Sequence, residues 1–267
     1  MLQANYHTHT KRCGHANGED EEYVQEALGY GYQHLGFSDH AMLPGFSQPY
    51  VRGDFSLYDD YLKSINALKD KYRGRIHIYV GFEAECFPDY FPFFKEQLEN
   101  HVLDYIILGN HSAMDSNKKL YAHFRNITNA SQLYLYKDLA IQAMSSGLFS
   151  IFAHPDYFLS SIQNFDSDCR KVSLEIIKTA IAYDIPLEVN VAGIRNGKKK
   201  IGGNIRWMYP TDDFFSLAGK YHAKCILGMD AHSPEQLSND SAIYEAVRFS
   251  KKHDLRMVDY LNAIQSH

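Results

Sequence analysis

Short apolar, β-rich runs recur along the chain, and each is followed by a polar or ionisable residue. Residues 2–6 precede His7, 34–37 precede Asp39 and His40, 76–82 precede Glu83, and 105–108 precede His111. Residues 148–153 precede His154, 187–189 precede Asn190, and 225–229 precede Asp230. Segments of helical character lie between them. Residues 19–30 carry acidic side chains in the first turn, with Gly29 and Gly31 as stop signals. Leu57, Tyr61, Ile65, Leu68 and Tyr72 follow the i/i+3/i+4 spacing of one helix face, which ends at Gly74. Helices are likewise expected over 90–101, 131–146, 168–184, 211–222 and 241–253.

Strands that alternate with helices imply parallel β/α units. Seven such units predict an α/β fold closed as a barrel rather than left as an open sheet. In such a barrel, catalytic groups sit at the C-terminal ends of the strands. The His, Asp and Glu residues fall at those ends, so residues distant in sequence would converge at one mouth.

Composition narrows the class. Of 267 residues, 45% are apolar and 22% charged, which fits a globular protein with a large core. The net charge of −5, with only the short run Lys198-Lys199-Lys200, argues against a nucleic-acid binder. No apolar run reaches about 18 residues, so no membrane span is expected. Four scattered cysteines (Cys13, Cys86, Cys169 and Cys225) lack C-x-x-C spacing and suit a reducing compartment, and a cytoplasmic location is the expectation. The 14 histidines are the anomaly, because imidazole is a common ligand for transition metals.

Their positions matter more than their number. His7-Thr8-His9 is an H-x-H whose period of two points both imidazoles to one side of a strand. His15 follows in a loop. Asp39 and His40, Glu83 and Glu85, His111, His154 with Asp156, and Asp230 with His232 follow later strands. Any one of these would pass as a structural residue. Gathered at one mouth, so many ionisable groups would be costly to bury without cations. Mixed His and carboxylate ligation suits Zn, Mn or Fe, and two or more such ions imply hydrolysis, with phosphate esters the leading substrates. The aromatic run 87–94 reads as a loop and helix start covering the barrel, with one wall of a ring-binding pocket as its alternative. Tyr134 and Tyr136 read as helix packing.

Several longer motifs resemble the polymerase-and-histidinol-phosphatase (PHP) superfamily, and within it the histidinol-phosphate phosphatases. They are His7-Thr8-His9, Cys13-Gly14-His15-Ala16, Gly36-Phe37-Ser38-Asp39-His40, Gly81-Phe82-Glu83-Ala84-Glu85 and Gly109-Asn110-His111-Ser112. Further along come Ala153-His154-Pro155-Asp156, the stretch Glu188-Val189-Asn190 through Gly193-Ile194-Arg195 to Tyr209-Pro210, and Gly228-Met229-Asp230-Ala231-His232-Ser233-Pro234. Met229 departs from the small residue often found before Asp-Ala-His. The resemblance implies one distorted (β/α)7 TIM-like barrel domain over 1–267, with a trinuclear centre of Zn, Fe or Mn. It places His7, His9, Glu83 and Asp230 on one ion, Glu83 with His111 and His154 on a second, and His15, His40 and His232 on a third. It also implies hydrolysis of L-histidinol phosphate in histidine biosynthesis, by attack of a hydroxide that bridges the first two ions. Glu83, Asp230 and His232 would serve catalysis, Arg195 would fork onto the phosphate, and Asp39 would contact substrate or orient a ligand. A broader phosphoesterase acting on nucleotides or other small esters, and a metal-binding module without turnover, remain as alternatives.

Overall fold

The computed structural model describes residues 2–261. The strands in chain order are β1 (Ala4–Asn5), β2 (His34–His40), β3 (His77–Ala84) and β4 (Tyr105–Leu108), then a hairpin of β5 (Ser112–Met114) and β6 (Leu120–His123). They continue with β7 (Ile151–Phe152), β8 (Leu187–Asn190), a second hairpin of β9 (Lys199–Ile201) and β10 (Asn204–Arg206), β11 (Lys224–Gly228) and β12 (Arg256–Met257). The helices are α1 (Asp20–Tyr30), α2 (Tyr58–Lys71), α3 (Phe91–Glu99), α4 (Ala130–Ser145), α5 (Ser167–Ala182), α6 (Val191–Arg195), α7 (Asp212–Lys220) and α8 (Asp240–Lys252). Eight strands form one sheet in the order β1-β2-β3-β4-β7-β8-β11-β12, and each paired neighbour is parallel. Parallel neighbours need crossovers, which the helices supply.

Local chemistry sets the helix ends. Asn129, Asp166 and Asn239 cap α4, α5 and α8 by accepting hydrogen bonds from Gln132, Cys169 and Ala242 N–H groups. Gly31 ends α1 at a φ of 103°, a conformation glycine adopts without strain. The expected face of α2 holds at Tyr61, Ile65, Leu68 and Tyr72 and differs only at its start. Asp54 caps a single 3-10 turn that leaves Leu57 exposed, so Tyr58 takes the buried place beside Tyr61, Ile65 and Leu68.

The sheet curls into a distorted barrel with a seam between β1 and β11. At the mouth, Thr8 and Ala231 form a parallel bridge, and His9 N–H donates to Ala231 O at 2.8 Å. Below it, the Asn5 side chain takes the place of a ladder: its Oδ1 accepts Met229 N–H at 2.8 Å. At the base, β11 pairs with β12 instead. The sequence predicts seven strands; β12 is an eighth of only two residues, too short to carry a periodic pattern. The two hairpins are also absent from the sequence reading.

Side chains alternate along β4. Tyr105 and Ile107 enter the barrel with Ala4, Tyr6, Ile151, Ala153, Ile226 and Leu261, while Ile106 and Leu108 pack under the helices. Tyr105 occupies space that a side chain at Gly36 would fill, and its Oη donates to Tyr6 O at 2.7 Å. The base of the barrel is therefore a filled apolar plug, each large side chain contributing about 1.5–3 kcal/mol. Polar groups are left to the mouth. No helix among the described residues is long and apolar enough to cross a membrane.

Candidate metal centre

All nine sequence-predicted ligands converge at the mouth. His7 and His9 leave β1, His40 ends β2, Glu83 lies within the last turn of β3, and His111 follows β4. His154 follows β7, Asp230 and His232 follow β11, and His15 arrives from the loop before α1. Asn110, His154 and Asp230 sit at φ values of 51°, 30° and 47°. Non-glycine residues held there cost about 1–3 kcal/mol each, which surrounding bonds must offset. His154 N–H donates to Glu188 at 2.9 Å, and Arg195 donates to Asp230 O at 3.1 Å.

The hydrogen bonds assign the imidazole tautomers. His7 Nδ1 lies 2.7 Å from Glu188 Oε1, and His111 Nδ1 lies 2.9 Å from Glu85 Oε1. Carboxylates at these sites only accept, so both Nδ1 atoms carry the proton and both Nε2 lone pairs face inward. His15 and His232 are fixed in the same way by the carbonyls of Cys13 and Asp230, at 3.3 and 3.2 Å. The result is an array of acceptors facing acceptors. His7 Nε2 is 3.1 Å from His9 Nε2, and His15 Nε2 is 3.0 Å from His232 Nε2. Such pairs need a cation or a proton between them.

The inner spacing fits a divalent ion. From His7 Nε2, Glu83 Oε2 is 3.5 Å away and Asp230 Oδ1 3.6 Å; from His9 Nε2 the same atoms are at 3.5 and 3.3 Å. Ligands about 2.0–2.1 Å from a tetrahedral zinc stand about 3.3–3.4 Å apart, close to every one of these separations. Glu83 turns its other oxygen, Oε1, to His154 Nε2 at 3.0 Å and His111 Nε2 at 3.5 Å. One carboxylate thus serves two groups of imidazoles. His40 stands between inner and outer groups, with Nδ1 3.0 Å from Glu83 Oε2 and its ring 4.5 Å from that of His9. His9, His40 and His232 form one of the ligand clusters.

Buried carboxylates support the ligands from behind. Glu85 holds His111 and is itself 3.5 Å from the buried Arg52 guanidinium. Asp39 is fully buried, accepts from Thr10 Oγ1 and lies 3.5 Å from His9 Nδ1. That placement suits orienting His9; of the two roles expected for Asp39, contact with substrate does not match its burial. Arg195 lies on the one-turn helix α6, not in a loop, and lines the cleft. Its Nη1 donates to Met229 O, and its Nη2 to Asp230 O and Gln236 Oε1. With Nη2 so engaged, only Nε and Nη1 have a donor left, which corrects the expected fork to single contacts.

The cleft above these groups has a volume of about 330 Å³. Tyr157 and Tyr209 form one wall: Tyr157 meets the rings of His111 and His154 at 5.1 Å, and Tyr209 meets that of His154 at 5.5 Å. The 87–94 aromatics lie elsewhere, with Phe87 against Phe46 and Phe91 against Phe149, so they are not the ring-binding wall. Tyr136 is buried and donates to Pro155 O at 3.0 Å, bracing the turn beside His154. Tyr157, Tyr209, Glu188, Asn190, Gln236 and Arg52 are among the residues whose part in the site the sequence reading did not assign. For Glu188 a signal existed: a carboxylate inside the apolar run 187–189 must be buried and partnered.

Burial works against every charge here, and the local charges decide which groups keep one. Burial would raise Glu83, but His111, His40 and His7 hold its carboxyl well below the usual range. Asp230 is held low against burial by His7 and His9. Burial is likewise outweighed at His7, which Glu188, Asp230 and Glu83 push well above its usual value, and at His9, which rises to about 9. The outer imidazoles behave oppositely. Burial and the nearby His9 lower His15 and bring His232 down to about 3.

A distorted parallel barrel with clusters of His and carboxylate groups able to hold metal at its mouth is the class that the fold and site define. The PHP domain family profile matches residues 5–192, and the chain belongs to that family. A Deinococcus radiodurans protein named "Probable histidinol-phosphatase" is 27% identical over 234 residues, 86% of each chain. The histidinol-phosphatase of Bacillus subtilis is 28% identical over 169 residues, 61% of this chain and 59% of that one. In fold, the chain is similar to the histidinol phosphate phosphatase of Lactococcus lactis, solved with zinc, L-histidinol and phosphate. The TM-score is 0.71 at 17% identity, over 98% of both chains.

Proposed function

We propose that this chain hydrolyses L-histidinol phosphate to L-histidinol and phosphate, as the step it contributes to histidine biosynthesis, and that its centre takes three divalent transition ions. The observation that carries the reading is the split Glu83 carboxylate, with Oε2 toward His7 and His9 and Oε1 toward His111 and His154. A carboxylate shared in this way suits two cations about 3.5–4 Å apart, the spacing used in phosphate-ester hydrolysis. His7, His9, Glu83 and Asp230 would hold the first ion, Glu83, His111 and His154 the second, and His15, His40 and His232 the third. Relatives named as histidinol-phosphatases, one aligned over 86% of the chain, support the choice of substrate.

When bound, such ions supply Lewis-acid stabilisation of phosphoryl charge and a water acidic enough to react near neutral pH. The chain's own residues prepare the ground. Glu188, Glu85 and the backbone carbonyls of Cys13 and Asp230 fix the imidazoles before any substrate arrives. Arg195, locked by Gln236 and two carbonyls, holds a positive charge at the cleft wall, where its remaining N–H groups would meet a phosphate oxygen. Tyr157 and Tyr209 offer an aromatic face for the imidazole of the leaving group and keep water from that side.

Steady-state hydrolysis of L-histidinol phosphate, p-nitrophenyl phosphate and a nucleoside monophosphate tests the reading. The expected kcat/KM for L-histidinol phosphate exceeds the other two by about 100-fold or more. Equal values would keep a phosphatase but replace the substrate with the broader phosphoesterase reading. No turnover of any ester, with metal loading confirmed, would leave a binding module.

A further inference from the structure

We infer that Glu188, a buried carboxylate on β8 that is no ligand itself, is a positioning residue that sets the affinity of both inner ions together. Its Oε1 accepts from His7 Nδ1 at 2.7 Å. Its Oε2 accepts from the backbone N–H of His154 at 2.9 Å and from Asn190 Nδ2 at 2.8 Å. Asn190 Nδ2 in turn lies 3.1 Å from Asp230 Oδ2, which leaves Oδ1 to face His7 and His9. One side chain therefore braces two ligands of the first ion and the strained backbone of a ligand of the second.

Only a carboxylate satisfies this arrangement. Three donors approach Glu188 from two ends, and both of its ends accept. A glutamine has one accepting end. With its oxygen on His154 and Asn190, its NH₂ faces His7 Nδ1 and moves the imidazole proton to Nε2, the atom aimed at the ion. With its oxygen on His7, its NH₂ opposes two other donors and disturbs His154 and Asn190. Either orientation harms ligation. The fold also makes room for this group: a Cβ at Gly228, on the neighbouring strand β11, would overlap the Glu188 carboxylate.

The inference rests on His7 and His154 being metal ligands, and the test separates the two claims. Zinc affinity of Glu188→Gln is measured by chelator competition, with ¹⁵N NMR of the metal-free protein reading the His7 ring, the His154 amide and the Asn190 side chain, and circular dichroism reading the fold. Partners behind metal-bound imidazoles set affinity by about 10–100-fold, and a weakening of that size at both inner sites is expected. A changed ¹⁵N signal should accompany it, at the His7 ring in one amide orientation or at the His154 and Asn190 amides in the other, with Glu188→Asp recovering part of the affinity. Gly228→Ala, which displaces the carboxylate without removing its charge, should weaken the same two sites. A folded Glu188→Gln or Gly228→Ala protein with parental zinc affinity overturns the inference. So does a loss confined to one inner ion, or ¹⁵N signals left unchanged at His7, His154 and Asn190 together. If the parent protein itself binds fewer than two ions, the ligand assignment has failed instead.

Discussion

The inner and outer parts of the centre are built differently. The His7 and His9 side chains are 1% and 0% exposed, and His7 and His111 are backed by carboxylates. The outer pair has weaker backing: His15 lies on an exposed loop, His232 is 24% exposed, and each leans on a backbone carbonyl. Their charges differ as well. His7 and His9 favour protons, whereas partial burial and the neighbouring His9 lower His15 and His232. An ion bound at the inner group would have to displace protons from a rigid site, while one bound at the outer group would meet imidazoles on a looser frame. On the proposed assignment, the inner group would hold its ions more tightly than the outer group.

The largest effects should come from breaking the inner group. Asp230→Asn or His9→Asn is expected to lower kcat by about 10³-fold or more, with the fold retained in circular dichroism. His15→Asn or His232→Asn should lower it by about 10–10²-fold and remove one ion per chain in elemental analysis while the inner ions stay. Equal losses in both sets would erase the distinction between the two groups.

Titration sharpens the contrast. The folded pKa of His9 is raised to about 9 from an unfolded value near 6.5, so its contribution to the metal-free fold is complete below 6.5. That contribution is lost as pH rises through 9. The Tm of metal-free protein should therefore fall from pH 6.5 to 9, while zinc affinity rises as the competing protons leave. Calorimetry in buffers of different ionisation enthalpy should record proton release on filling the inner sites and little on filling the outer one. A metal-free Tm that rises over this range would contradict the assignment.

Smaller effects lie outside the ligand shell. Arg195→Lys should reduce kcat/KM by about 10-fold, because a lysine cannot hold two carbonyls, Gln236 and a phosphate oxygen together. Leu261→Ala, at the apolar base, should cost about 2–5 kcal/mol of stability in denaturant unfolding. Activity per folded molecule should stay unchanged there, and a loss of kcat would show that base and mouth are not independent.

The convergence of the candidate ligands was legible because a strand's period of two and a barrel's polarity are written locally. His7, His9 and Asp230 follow apolar runs directly, and Glu83 was found even though β3 extends past it to Ala84. Arg195 was found as a residue but not as a contact, since its partners at Met229, Asp230 and Gln236 come from another strand's loop. Tyr157 and Tyr209 escaped as a pair because 52 residues separate them in sequence and only the fold brings their rings to 5.6 Å. Strand β12 escaped for a different reason: its two residues are specified by the edge of β11, not by any pattern of their own.

The seam of the barrel has one more consequence. An ion gripped by His7, His9 and Asp230 would tie β1 to β11, closing a loop that contains most of the chain. In the unfolded state, a closure of that length would remove entropy worth about 5 kcal/mol, as a long-range covalent cross-link does. The catalytic cation would then double as a clasp, and a metal-loaded chain would resist unfolding from its ends even where β1 contributes only two paired residues.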